Sequence, residues 1–369
     1  MSEPLRVHGL DLSYFTGKVE AYLRAKGLPY RLIEMDTRDF AACGRATGVR
    51  QMPQIECADG TWLTDSTLIL DHFERTAPGP GFTPEDPLTR VVALLIEDMA
   101  DEALWRPALY YRWAFADDAR LMSGRLARGM LRDVPLPFAL RRLMILNRQR
   151  LHFLRRDGVR PDTAPAVEAL ARRAFAAMEE ALAVHPFVLG QRPTAADFGL
   201  FGPFFRHFFC DPTPARLMRD TAPRTLAWVT RLWGATPEST GAGPLPDHVP
   251  EAARGLLRLV AESHLPQAQA NAEAVVAGAR RVTFIDQGAR FDVPVSPYRA
   301  WAFDRVKQAV QALDDATRGA LAALIGDGAH VLFAPSLSCG AYVPPVLPIT
   351  APPATAVRDR AGLDRGGRG

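Results

Sequence analysis

Two short stretches carry residues that could hold a peptide-like ligand. Met52-Pro53 opens a predicted strand, and Asp65-Ser66 opens a predicted helix. A cis bond before a proline at a strand start would turn the free amide and carbonyl of Met52 outward, toward a ligand. Ser66 would add a hydroxyl and the free N–H groups of a helix start, where a carboxylate can be held. These residues predict a peptide-sized site, although Ser66 could equally serve only as a helix cap.

A β-hairpin must hold these two stretches together. Asp59-Gly60 separates two short apolar runs, and both residues tolerate the positive φ that a hairpin turn requires. Ahead of the hairpin, the apolar pattern predicts strands over 5–10 and 30–35 and a helix over 18–26. The order of strand, helix, strand, helix, hairpin and helix over residues 1–77 is typical of a thioredoxin-like α/β domain.

Met52-Pro53 followed by Asp65-Ser66 resembles the glutathione-binding half of the thioredoxin-like domain of glutathione transferases. In that family the residue before the proline pairs through its backbone with the cysteinyl part of glutathione. The acid-Ser pair holds the γ-glutamyl end. The resemblance therefore implies that glutathione is the co-substrate and that Met52, Pro53, Asp65 and Ser66 bind it.

The loop between the first strand and the first helix is where chemistry is expected in such a fold, because a helix N-terminus stabilises a nearby thiolate. Thiol redox proteins place cysteine there, whereas this loop has Ser13 and Thr16, which excludes a dithiol mechanism. A hydroxyl at this point can donate a hydrogen bond to the thiolate of bound glutathione and favour its nucleophilic form.

Residues 13–19 are similar to the loop of serine-type transferases, with Ser13 at the position of the catalytic serine. The loop departs from that pattern because no proline precedes Thr16 and because Tyr14 adds a second hydroxyl. Ser13 is therefore the predicted catalytic residue, with Tyr14 as the second candidate and Thr16 as a further possibility. The alternative is that Ser13 or Thr16 merely caps the helix.

After a breaker-rich linker at 77–81 the pattern becomes helical, with helices predicted over 87–116 and 138–157. The resemblance implies an all-α transferase domain over 87–235, which in that family lines the pocket for a hydrophobic second substrate. Aromatic residues at helical spacing are more often core than pocket. Both interpretations stay open for four residues of the first helix: Trp105, Tyr110, Tyr111 and Trp113.

Thr194 and Asp197 have the spacing of a capping box, in which the threonine accepts from the backbone of Asp197 and the carboxylate reaches back. Residues 187–198 closely resemble the capping motif of the second domain of transferases, whose role is in folding. The resemblance thus covers roughly residues 5–235.

A second breaker-rich linker precedes an extra α+β module over 244–335, which resembles the C-terminal extension of some bacterial glutathione-transferase-like proteins. The pattern predicts a helix, two strands and two further helices, over 250–278, 282–285, 289–293, 297–313 and 317–325. A single helix and a hairpin would struggle to bury the apolar residues of this module alone, so it must pack on the helical domain. Repeated prolines predict a disordered tail over 342–369.

Composition narrows the class of protein further. A net charge of +3 over 369 residues, without a dense basic run, argues against a nucleic-acid partner. The chain starts without a secretory pattern and has no apolar run near the ~20 residues of a membrane span, so a soluble, cytoplasmic protein without a membrane partner is expected. The scattered cysteines predict neither a disulfide framework nor a metal site: Cys43, Cys57, Cys210 and Cys339.

The sequence as a whole predicts a multidomain α+β protein with a thioredoxin-like domain, an all-α transferase domain and an accessory α+β module. The predicted function is a glutathione-dependent transferase that conjugates the glutathione thiolate to a small hydrophobic electrophile. The alternative is a weak or inactive family member that serves as a binding or scaffolding protein. A homodimer is expected from the resemblance and from the prevalence of two-fold pairing.

Overall fold

The computed structural model describes residues 3–337, 340 and 342–351. Its first part is the predicted thioredoxin-like domain. The elements of this domain are β1 (Leu5–Gly9), α1 (Tyr14–Lys26), β2 (Tyr30–Glu34), α2 (Thr37–Thr47), β3 (Gln54–Glu56), β4 (Thr61–Thr64) and α3 (Ser66–Thr76). β1 runs parallel to β2 and antiparallel to β3, and β3 forms the predicted hairpin with β4.

The first helix differs from its prediction, because α1 begins at Tyr14 and not at residue 18. Ser13 has extended backbone angles, and its side chain accepts a hydrogen bond from the N–H of Thr16 at 3.3 Å. Tyr14 and Phe15 have only modest helix propensity, so the pattern alone did not assign them to the helix. Burial of Tyr14 in the core and the Ser13 cap fix the earlier start.

The helical part starts at Pro87 as predicted, but the helix expected over 87–116 is interrupted at residues 103–104. No glycine or proline marks that break. The elements are α4 (Pro87–Glu102), α5 (Trp105–Ala114), α6 (Ala116–Arg128), α7 (Phe138–Arg148), α8 (Ala164–Ala181), α9 (Ala195–Pro203), α10 (Pro212–Thr221), α11 (Pro223–Trp233) and α12 (Pro237–Gly241), with π-helical turns at Gln149–Leu154 and Phe204–Phe209.

The extension is folded nearly as predicted. Its elements are α13 (Arg254–Leu259), a π-helical turn (Val260–His264), α14 (Leu265–Val276), the hairpin β5 (Arg281–Asp286) and β6 (Ala289–Pro294), α15 (Pro297–Gln311), α16 (Asp315–Ile325) and α17 (His330–Phe333). Short 3₁₀ turns at Glu251–Ala253 and Gly326–Ala329 precede α13 and α17. The predicted helix over 250–278 is therefore one continuous helical run with changes of pitch.

The prediction of a tail without regular structure from residue 342 is wrong at residues 349–350, which form a short strand. β7 (Ile349–Thr350) pairs antiparallel with β4, which makes a five-stranded sheet in the order β2-β1-β3-β4-β7. A strand of two residues needs few backbone donors, so the prolines on its N-terminal side do not prevent it. The rest of the predicted tail, residues 352–369, lies outside the described residues.

One apolar core joins the three parts of the chain. Ile55 of β3, Phe201 of α9 and Leu256 of α13 all belong to the same buried cluster, and each has no exposed surface. A second cluster joins Trp113 of α5 to Phe291 of β6. The prediction that the extension packs on the helical domain is confirmed by these contacts.

Arg106 of α5 contacts the β5–β6 hairpin and holds it against the helical domain. Its guanidinium lies 4.6 Å from the ring centre of Phe291, and its Nε donates to the carbonyl of Asp157 at 2.9 Å. Its Nη2 donates to Gln267 of α14 at 3.2 Å. Since only 2% of Arg106 is exposed, this cation is fully enclosed by the extension and the helical domain.

The capping box at the start of α9 is present as predicted. The Asp197 carboxylate accepts from the N–H of Thr194 and from those of Val188 and Trp228, each at 3.0 Å. Burial is the main reason that the pKa of Asp197 is raised to about 6, and these donors oppose that shift. Asp197 therefore ties α9 to the loop before it and to α11.

Thr194→Ala is expected to lower the free energy of unfolding by about 0.5–2 kcal/mol, because it removes the cap of a fully buried helix start. Urea denaturation of the variant and parent measures this loss. The matched control is Thr236→Ala at the exposed capping box of α12, where a smaller loss is expected. An unchanged stability for Thr194→Ala would contradict the assigned role.

Candidate functional site

A cleft of about 830 Å³ opens where the thioredoxin-like domain, the helical domain and the extension meet. We call it the main cleft. The thioredoxin-like domain contributes Phe15, Gln51, Met52, Asp65 and Ser66; the helical domain contributes Asp101, Glu102, Trp105, Arg148, His152, Phe153, Arg156 and Asp157; the extension contributes residues 294–299 and Tyr342. Three of the four predicted glutathione-binding residues thus line one space with the extension.

Met52 lies on the wall of the main cleft, and the Met52-Pro53 bond is cis, as predicted. Pro53 is buried directly before β3 and is absent from the cleft lining. The loop before it is tied down by Gln54, whose side-chain amide donates to the carbonyl of Val49 at 2.8 Å and to that of Gln51 at 3.1 Å. β3 therefore positions Met52 through a fixed loop.

Asp65, and not Ser66, caps α3. The Asp65 Oδ1 accepts from the N–H groups of Thr67 and Leu68, both at 3.1 Å. The alternative that Ser66 serves only as the cap is therefore wrong, because Asp65 performs that role and Ser66 lines the cleft. Asp65 has a φ of 70°, a left-handed conformation that is uncommon for a residue other than glycine and is found often at functional sites.

The extension reaches Asp65 directly. The Tyr298 hydroxyl donates to Asp65 Oδ2 at 2.8 Å, and the Tyr342 ring lies edge-on to Tyr298 with ring centres 5.3 Å apart. Burial, followed by the charge of Asp65, raises the pKa of Tyr298 well above its ordinary value, so this hydroxyl is protonated. Sequence reasoning missed both tyrosines, because the only local signal was the helix start at Ser296-Pro297.

Ser13 lines a smaller space of about 260 Å³, the side chamber. Gln51, Met52, Arg148 and Phe153 line both the side chamber and the main cleft, so the two spaces adjoin. The Ser13 Oγ accepts from Thr16 N–H, and among the described residues no acceptor is bonded to its own proton. Capping and donation to a ligand are thus compatible, and the two interpretations of Ser13 do not exclude each other.

Tyr14 and Thr16 do not fit the alternative roles assigned from the sequence. Tyr14 is 1% exposed, and its hydroxyl donates to the carbonyl of Ala100 at 2.5 Å, so burial raises its pKa well above the ordinary value. Thr16 is fully buried against Gly9. Tyr14 also lines the side chamber, but its hydroxyl bonds α1 to α4, so Ser13 stays the first candidate for the catalytic residue.

The predicted aromatic group divides between pocket and core. Trp105 lines the main cleft, where its ring stacks on Phe15 with centres 5.8 Å apart, and Trp113 lines the side chamber. Tyr111 is buried and stacks on Phe115, while Tyr110 is half-buried beside it. The break between α4 and α5, which the sequence pattern did not show, brings Trp105 to the cleft.

A buried ion cluster lies under the floor of the main cleft. Lys18 of α1 is fully buried, and its Nζ lies 2.5 Å from Asp101 Oδ2, 2.6 Å from Glu97 Oε1 and 3.0 Å from Thr67 Oγ1. Burial acts to lower the pKa of Lys18, but Asp101 and Glu97 together raise it. Lys18 therefore stays charged and joins α1, α3 and α4 beneath the cleft.

Neither a membrane span nor a metal centre is found in the part of the chain that the structure describes. No helix there has the length and apolar character needed to cross a membrane. The same residues contain no group of three histidine, cysteine or acidic side chains placed to hold a metal ion.

Comparison with known proteins identifies the class. Family models for the N-terminal and C-terminal domains of glutathione S-transferase match residues 7–81 and 161–231. These two segments of the chain are therefore similar to the two domains of the glutathione S-transferase family, which uses glutathione as its co-substrate. Neither match reaches the extension at residues 244–335.

Individual relatives are distant. Glutathione S-transferase U7 of Arabidopsis thaliana is 26% identical over 109 residues, 29% of this chain and 48% of that protein. A probable glutathione S-transferase of Nicotiana tabacum is 29% identical over 90 residues, 24% of this chain and 40% of that protein. The chain thus spans about half the length, or less, of these curated relatives.

Among solved structures, the β-etherase LigF from Sphingobium sp. strain SYK-6 has a TM-score of 0.45 at 17% identity, covering 69% of this chain and 98% of LigF. A glutathione S-transferase of Methylobacterium radiotolerans, solved with glutathione sulfonate, has a TM-score of 0.40 at 19% identity, covering 67% of this chain and 100% of that one.

Proposed function

We propose that the protein is a glutathione-dependent transferase that joins the glutathione thiolate to a small hydrophobic electrophile. The observation that carries this proposal is the position of Met52, which lines both the main cleft with Asp65 and Ser66 and the side chamber with Ser13. A tripeptide whose γ-glutamyl end lay at Asp65 and Ser66, and whose cysteinyl part paired with Met52, would direct its sulfur toward the Ser13 side.

Ser13 supports the thiolate in this proposal. Its O–H donates to the sulfur while its Oγ stays bonded to the backbone of Thr16 at the start of α1. A hydrogen bond to the charged form and the positive end of the helix both lower the pKa of the bound thiol. The thiol proton passes to solvent, and the thiolate then attacks an electrophilic carbon. A C–S bond forms and a leaving group, such as a halide, departs with its electron pair.

The aromatic wall of the main cleft supports a hydrophobic second substrate. Trp105 and Phe15 stack on one another at the cleft, and Phe153 lines both spaces. Flat apolar side chains of this kind bind an aromatic electrophile by burying its surface and stacking on its ring. Conjugation of an aromatic halide is therefore the expected reaction type.

The direct test combines calorimetric titration with glutathione and a turnover assay with a generic aromatic halide. We expect saturable binding and product formation that depends on glutathione. Binding without turnover would favour the scaffolding alternative, and absence of binding would contradict the proposal. The homodimer and the cytoplasmic location stay predictions, for which light scattering of the purified protein and cell fractionation are the measurements.

Ser13→Ala is expected to lower kcat/KM about 10- to 100-fold while glutathione affinity changes little, because a hydrogen bond to a charged group contributes about 1.5–3 kcal/mol. The ultraviolet absorbance of bound thiolate, measured against pH, should show a raised thiol pKa in the variant. The control is Tyr14→Phe, whose hydroxyl is turned into the core. Lost turnover in Tyr14→Phe but not in Ser13→Ala would reverse the assignment.

A further inference from the structure

The first turn of α15 brings a residue of the extension to the motif acid of the glutathione-binding domain. Tyr298 Oη lies 2.8 Å from Asp65 Oδ2, although the two residues are 233 positions apart. The other carboxylate oxygen accepts from the N–H groups of Thr67 and Leu68. All three partners are donors, so Asp65 acts here only as an acceptor, and only 3% of it is exposed.

The turn that carries Tyr298 is held on both sides. Asn271 of α14 bonds the backbone of Ser296 twice, since its Oδ1 accepts from Ser296 N–H at 2.8 Å and its Nδ2 donates to the Ser296 carbonyl at 2.9 Å. Arg299 Nε donates to Glu102 of α4 at 2.7 Å. These bonds connect the turn to α14 of the extension and to α4 of the helical domain. The backbone that carries Tyr298 is therefore fixed where its hydroxyl contacts Asp65.

A carboxylate oxygen has two acceptor sites, and the Tyr298 hydroxyl uses one of those on Oδ2. The remaining site is the one that an N–H group of a ligand ammonium can use. With Oδ1 fixed by α3 and one side of Oδ2 fixed by Tyr298, rotation of the carboxylate is prevented. A charge-assisted bond to a ligand then forms without loss of side-chain freedom on the protein side.

We propose that Tyr298 is a positioning and specificity-determining residue, which orients Asp65 toward the ammonium of the γ-glutamyl end and so makes the extension part of the glutathione site. The inference rests on the proposed function, because it requires that glutathione lie in the main cleft. It deepens that function by assigning recognition of the ligand's amino group jointly to the thioredoxin-like domain and the extension.

The test is calorimetric titration of the full chain and its Tyr298→Phe variant with two ligands. One is glutathione, and the other is its deamino analogue, in which a glutaryl group replaces the γ-glutamyl group. We expect Tyr298→Phe to weaken glutathione binding about tenfold and to leave binding of the analogue unchanged, because only the ammonium uses Asp65. The control is Tyr110→Phe, which removes a tyrosine hydroxyl from α5 outside the main cleft.

Three results would overturn the inference while the proposed function stands. Equal weakening for both ligands would mean a general packing role, and unchanged glutathione binding would mean no role. Tighter glutathione binding by Tyr298→Phe would mean that the hydroxyl competes with the ammonium. If the parent itself does not bind glutathione, the proposed function fails and this inference fails with it. Thermal unfolding of the variant identifies loss of fold as a separate cause.

Discussion

A chain that lacks residues 244–369 is expected to aggregate, because the extension covers the apolar faces of α4 and α8. Leu256, Leu257 and Leu259 of α13 are at most 1% exposed and belong to the core shared with those helices. Burial of one such side chain contributes about 1.5–3 kcal/mol. Together with Val260 and Leu265 the total is on the order of 10 kcal/mol, which matches the whole stability of a typical domain.

Removal of the extension would also leave buried charged side chains of the helical domain without their bonding partners. Asp98 of α4 is paired with His264 across 2.7 Å, and Arg106 of α5 loses Gln267 and the ring of Phe291. A buried charge left without its partner destabilises a fold by several kcal/mol. The truncated protein is therefore expected to lose stability as well as to expose apolar surface.

Size-exclusion chromatography with light scattering and thermal denaturation test this expectation. The control is a chain that ends at residue 351, which keeps every contact named above. A chain of residues 1–243 that is soluble, keeps the oligomeric state and melting temperature of the parent, and binds glutathione normally would mean that the extension is an independent module.

Lys18→Met is expected to lower the free energy of unfolding by about 3–5 kcal/mol at pH 7, because it leaves two buried carboxylates without their cation. The side chains of Glu97 and Asp101 are 5% and 9% exposed, so water does not replace the lost partner. The effect should far exceed that of Arg6→Met, the control, since Arg6 is half-exposed in its pair with Glu56 and such surface pairs contribute about 0–1 kcal/mol.

The loss in Lys18→Met should depend on pH. Burial raises the pKa of Asp101 well above its ordinary value, and Lys18 opposes this shift, so removal of Lys18 raises that pKa further. A carboxyl group whose pKa is higher in the folded than in the unfolded protein destabilises the fold. This destabilisation increases as the pH rises from the unfolded-state pKa to the folded-state pKa. The deficit of the variant should therefore be largest at neutral pH and shrink toward about pH 4.

Urea denaturation of both variants at pH 7 and near pH 5 measures these differences. A Lys18→Met protein as stable as Arg6→Met, or a deficit that grows on acidification, would contradict the assigned charge balance. Circular dichroism before denaturation establishes that each variant starts from a folded state.

Features that depend on neighbours in sequence were predictable. The hairpin between β3 and β4, the start of α3 at Ser66 and the capping box at Thr194 follow from turn and cap residues that act within a few positions. The apolar spacing of α13 likewise indicated that the extension must pack on the helical domain. In each case the residues that fix the structure lie beside one another along the chain.

Features that depend on tertiary contacts were not predictable. Nothing near Asp65 indicates that a tyrosine more than 200 positions later bonds to it. The Tyr14 hydroxyl bonds to the carbonyl of Ala100, 86 positions later in the chain, and the place of Ser13 in the side chamber depends on the position of α1. Chemical type and spacing selected residues that line two adjoining spaces in the structure, whereas packing decided how each hydroxyl is bonded.

The short strand β7 restricts how two copies of the chain could associate. It pairs with the outer edge of β4 at Thr61 and Trp62, so that part of the edge cannot pair with a strand from another molecule. β7 itself is only two residues long, and so short an edge offers little for intermolecular pairing. The opposite edge, β2, carries Arg31 and Glu34 on a five-residue strand, and charged edge strands resist continuation of the sheet. A homodimer would therefore have to form through helices and side chains, leaving each five-stranded sheet confined to its own subunit.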